Sequence, residues 1–125
     1  TPFQINSKES LHAFGSYLRA VTKFLRCQGV ELTPLANKEM MLRVYVATKG
    51  IPRLIAGLIK MALESAEQGD VITRQDLANG FSKTSMNPEL KNFNPFLANY
   101  ERVQEHAAKT QKKAISENSK HWDIH

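Results

Sequence analysis

The stretch Gly50–Leu77, "GIPRLIAGLIKMALESAEQGDVITRQDL", decides how the chain folds. Between Arg53 and Glu64 the only charge is Lys60, and Leu54, Ile55, Leu58, Ile59, Met61, Ala62 and Leu63 leave almost no polar side. That is the pattern of the central helix of a small bundle. Pro52 falls in the first turn, where proline is tolerated because no intrahelical acceptor waits for its missing N–H. Gly69-Asp70 is a helix stop. Thr73-Arg74-Gln75-Asp76 then reads as a capping box opening a short fourth helix that includes Leu77, Ala78 and Phe81.

Upstream, Asn6-Ser7-Lys8-Glu9 fits another capping box, and Leu11, Phe14, Leu18, Val21 and Leu25 recur at steps of three and four. This predicts a first helix ending near Gly29. Thr33-Pro34 suits the cap and first position of a second helix, with Asn37 as a rival start, running through Met40, Met41, Val44, Tyr45 and Ala47 to Gly50. Its Val44-Tyr45-Val46 also has strand character, but no alternating segment elsewhere offers a partner, which favours helix. Downstream, Ser82 to Pro95 turns rich in Ser, Thr, Asn and Pro, with Met86, Leu90, Phe93 and Phe96 as apolar anchors, so a loop packed back on the helices is expected. Leu97 to about Ile115 can form a helix with a Glu105/Lys109 pair, yet its apolar side is thin and Ala-rich. The expectation is an all-α domain of about four helices over residues 1–96, then a tail over 97–125 that is mobile or needs a partner.

At 125 residues one domain is expected. No apolar run approaches the ~20 residues of a membrane span, and no basic-then-apolar leader opens the chain, so a soluble, cytoplasmic protein is expected. The first residue is Thr1 rather than Met, which suggests a processed product or a piece of something longer. Cys27 is the single cysteine, so no intrachain disulfide forms, no Cys/His spacing suits zinc, and a buried structural place is expected for it. A net charge of +5 and a pI near 9.5 fit an acidic partner without choosing one. Residues 1–96 carry 12 Lys/Arg against 8 Asp/Glu and residues 97–125 carry 5 against 4, so the tail is no basic arm.

Arg53 stands at a helix opening, where free amides and the positive end of the helix dipole attract phosphate. Its planar fork of donors suits phosphate oxygens. The plain alternative is a guanidinium that merely reaches water. The wider order, two helices, Gly50-Ile51-Pro52-Arg53, a long apolar helix with Ala62 and Ala66 four apart, a Gly-Asp turn and "VITRQDL", resembles the C-terminal lid of AAA+ ATPases. More narrowly it is similar to the TniB/TnsC-type ATPases that regulate DNA transposition. The resemblance covers roughly residues 3–96, including Phe93-Asn94-Pro95-Phe96, and leaves 97–125 unmatched. It implies that Arg53 is the sensor-2 arginine, with Gly50, Ile51 and Pro52 shaping its turn. It further implies ATP and magnesium in a full-length parent, a missing N-terminal ATPase core, target DNA and transposase as partners, and homo-oligomers when intact.

Cleaving a nucleotide through a P-loop needs a strand followed by Gly-x-x-x-x-Gly-Lys-Ser/Thr. The nearest approach, Lys83-Thr84 in "NGFSKTS", follows Ser82 rather than Gly, and no Walker B-type run ending in paired acids occurs. This polypeptide alone is therefore not expected to hydrolyse ATP, and to bind little of it. Two other readings stay open: a stand-alone helical DNA-binding or adaptor module, and the lid of another AAA+ branch such as a replication initiator. A helix-turn-helix in "VITRQDLANGFSKTS" fits poorly, since Asn79 alone separates Ala78 from Gly80.

Arg19, Lys23 and Arg26 share one side of the first helix away from its apolar stripe. They can meet DNA phosphates or a neighbouring subunit, or simply face water. His121 and His125 have helical ligand spacing but no third ligand, so no metal is expected, and Trp122 is either an unpacked aromatic or a partner contact. Met40, Met41 and Met61 read as core filler.

Overall fold

The computed structural model describes residues 2–66, 70–84, 90 and 93–123, with side chains in the last stretch as far as Lys112. The chain is mostly helical, as its periodicity requires: α1 (Lys8–Cys27), α2 (Lys38–Thr48), α3 (Pro52–Ser65), α4 (Arg74–Ser82) and α5 (Tyr100–Asp123). Between them lie two short strands, β1 (Glu31–Leu32) and β2 (Val71–Ile72), paired in parallel with Glu31 opposite Val71 and Leu32 opposite Ile72. The expectation of no strand pairing is corrected here. Each strand is too short to show alternation, and α2 with α3 forms the long crossover that a parallel pair demands.

That pairing also moves the start of the second helix. The Thr33 amide donates to the Ile72 carbonyl at 2.9 Å, so Thr33 belongs to the ladder, and Asn37 becomes the cap by accepting from the Met40 amide at 2.9 Å. In α1 the cap shifts by one residue from Asn6 to Ser7, whose Oγ accepts from the Ser10 amide at 3.0 Å. The capping box at Thr73 and Asp76 forms as read.

The most enclosed helix is α2, not α3. Every residue from Met40 to Thr48 is buried, because α2 is flanked by α1, α3 and α5. Tyr45 meets Phe14 edge-on at 6.4 Å, and burial pushes its phenol up to about 12. By contrast α3 buries Ile55, Leu58, Ile59 and Ala62 against its neighbours and leaves one apolar flank uncovered. Its crossing with α4 is close because Gly80 has no side chain: a Cβ there would lie 2.7 Å from the Ala62 amide nitrogen.

The segment set apart as a tail is anchored over its first turns. Val103, Ala107 and Gln111 of α5 are buried against the domain. Gln111 accepts the Ile5 amide at 2.7 Å through Oε1 and donates to Gln4 Oε1 at 2.7 Å, tying the N-terminal segment to α5. Among the described residues, three polar side chains hold the connection from α4 to α5. Arg43 donates to the carbonyls of Pro95 and Ala98, Arg74 Nε donates to the Phe96 carbonyl at 2.7 Å, and Asn94 Nδ2 donates to the Ala78 carbonyl at 2.8 Å. Phe93 and Phe96 fill the core as expected, Leu90 packs on it, and Met86 lies outside the described residues. No described helix is long and apolar enough to cross a membrane.

Candidate functional site

The geometry at Arg53 begins one residue before the glycine. Lys49 at φ 57° and Gly50 at φ 74° both adopt the left-handed conformation, which ends α2 and turns the chain sharply. The Gly50 carbonyl accepts the Phe3 amide at 2.7 Å, so the N-terminal segment braces the turn. Ile51 caps α3 without a side-chain bond, Pro52 takes the first helical position, and Arg53 follows as an exposed residue. The amides of Leu54 and Ile55 both donate to the Ile51 carbonyl at 3.0 Å. Fewer first-turn amides are therefore available to an anion than the sequence suggested, and the guanidinium is the principal donor. Among the described residues no carboxylate or carbonyl holds it.

An apolar groove of about 510 Å³ runs between α1 and α3. Tyr17, Val21 and Phe24 line one wall, Ile55, Ile59 and Leu63 the other. Ala56 and Lys60, one and two turns beyond Arg53 on the same helix, edge it. Phe24 is 64% exposed, an unusual state for so large an apolar side chain. The sequence signal was present in α3, whose apolar residues exceed what one packed face can use. Tyr17 and Phe24 sit beside the α1 stripe rather than within it, and so escaped the reading.

Arg19, Lys23 and Arg26 are all exposed on α1 and gather around one depression with Thr22 and Cys27. Cys27 is exposed rather than buried, because position 27 falls off the stripe that faces the core. Met40 and Met41 are core residues, and Met61 is half-buried. Gly80 lies inside α4 against Ala62, not at a turn between two helices, which removes the helix-turn-helix geometry. The side chains of His121 and Trp122, and all of His125, lie outside the described residues; among those described, no cluster of His, Cys, Asp and Glu could hold a metal. Lys83 donates to Ser65 Oγ at 3.0 Å.

Arg43 was not singled out by the sequence, nor were the long-range bonds of Arg74 and Asn94, although an arginine four residues after Glu39 within an apolar run was a usable signal. Compared with family models, with curated proteins and with solved structures, the chain matches none.

Proposed function

We propose that this chain is the lid region of an ATP-dependent regulator of DNA transposition, of the TniB/TnsC kind, and that Arg53 senses the bound nucleotide in the full-length protein. The observation that carries the reading is the state of Arg53. It is a solvent-facing guanidinium without a described partner, placed in the first turn of α3 by the Gly50-Ile51-Pro52 turn. A cation left unpaired beside a helix opening suits a polyphosphate supplied by another module. The apolar groove alongside fits the same account, since a lid must be covered somewhere by the core it closes upon.

In this account the cytoplasmic parent binds ATP and magnesium between its core and this bundle, and Arg53 reaches the phosphates from the same subunit. The bound nucleotide draws the lid onto the core and favours oligomers on target DNA, which then communicate with the transposase. Hydrolysis belongs to the core, and this chain alone is not an enzyme. The test is Arg53→Ala, with Arg53→Lys beside it, in the full-length protein. Weakened ATP binding and lost ATP-dependent DNA binding are expected for the alanine variant, with partial retention for lysine. Unchanged ATP affinity, ATPase rate and DNA binding in both variants would exclude the role.

A further inference from the structure

The face of α1 beside its core stripe carries a second feature that does not depend on Arg53. Arg19, Lys23 and Arg26 surround a depression of about 450 Å³ with Thr22 and Cys27. Arg19 also borders a neighbouring depression of about 310 Å³ against the start of α2, shared with His12, Gly15 and Lys38. Its guanidinium lies across Gly15, with Nη1 3.7 Å from where a Cβ would stand, and Nη2 donates to Ser16 Oγ at 3.4 Å. Arg19 thus borders both hollows, which together make a track along α1. From His12 to Arg26 it extends roughly 21 Å along the helix at about 1.5 Å per residue.

We infer that this track binds the phosphate backbone of a nucleic-acid duplex. Three observations favour a phosphodiester strand over an acidic protein surface. No Asp or Glu lines either depression, and among the described residues none of Arg19, Lys23, Arg26 and Lys38 is held in an ion pair. The cations are therefore uncompensated along the whole track, matching a ligand whose negative charge repeats evenly along its axis. The track also lacks an aromatic anchor of the kind that centres protein interfaces; Tyr17 and Phe24 project on the groove side of α1. The track reads no bases and gives no sequence preference, as contacts to phosphate alone do not.

The 125-residue chain, without nucleotide, is titrated into a fluorescent 20-base-pair DNA duplex, with an RNA duplex and a polyglutamate peptide as parallel arms. Micromolar binding of the DNA duplex is expected, with log K falling against log salt at a slope of about −3 to −4 for four phosphates neutralised. The triple variant R19E/K23E/R26E is expected to lose at least tenfold in affinity while its circular dichroism and melting midpoint match the parent chain. Binding of the RNA duplex at similar strength supports a backbone contact. No duplex binding at 50 mM salt, undiminished binding by the folded triple variant, or equal binding of polyglutamate overturns the inference. The titration contains no nucleotide, so its outcome is separate from that of the nucleotide role.

Discussion

Arg43 Nη1 lies 2.9 Å from the carbonyl oxygen of Pro95, and the same nitrogen donates to the Ala98 carbonyl at 2.7 Å. A residue only 2% exposed on the most enclosed helix thereby fixes the connection that sends the chain into α5. Its Nη2 meets Glu39 at 3.1 Å, while Nε has no partner. Buried charge is retained here because the guanidinium satisfies two carbonyls that would otherwise be desolvated without donors.

Arg43→Met keeps most of the volume and removes those donors. It should lower stability by about 3 kcal/mol, the scale for stripping one partner from a buried charged network. Glu39→Gln should cost under about 1 kcal/mol, since Glu39 is 48% exposed and screened by water. Urea unfolding of the two variants provides the measurement. Similar midpoints for both would show that the connection is held by Phe93 and Phe96 packing alone.

The helices were legible because each repeats a local rule: the stripe of α1, the capping box at Thr73 and the proline at the head of α3. What escaped depends on distant neighbours. The β1–β2 pair joins residues forty apart through backbone groups that no side-chain pattern advertises. The enclosure of α2 follows from α5 docking on it through Val103 and Ala107, two small contacts that look too thin in sequence to anchor anything until Gln111 adds its bonds to Gln4 and Ile5. At the candidate site, Arg53 could be placed from the Gly-x-Pro turn, but the groove beside it could not. It arises where two amphipathic surfaces meet at an angle that leaves Phe24 uncovered.

Gly50 joins the turn before Arg53 to the N-terminal segment, and substitution there should be costly on two counts. An alanine pays for left-handed backbone, and its Cβ collides with the Phe3 carbonyl oxygen. Gly50→Ala should lose about 2–3 kcal/mol by urea unfolding. Gly50→Asn separates the causes, because asparagine tolerates the left-handed region but keeps the Cβ. A variant Asn chain as stable as the parent would show that Phe3 simply moves aside; equal losses in both would assign the cost to the collision.

His106 stacks on Phe93 with ring centroids 4.1 Å apart, and Arg102 lies over the same ring at 5.2 Å. Burial lowers the imidazole pKa below its ordinary value, reinforced by Lys109 and Arg102 and opposed by Glu105. The folded chain therefore favours the neutral ring. Its contribution to stability is present in full above the unfolded value near 6.5 and is lost as pH falls through the lowered folded value. His106→Gln removes that dependence. The stability of the parent chain minus that of the variant, from urea unfolding at pH 8, 7, 6 and 5, should accordingly shrink toward the acid end. A difference that stays level or grows on acidification would mean that protonated His106 is accommodated against Phe93 as well as the neutral form.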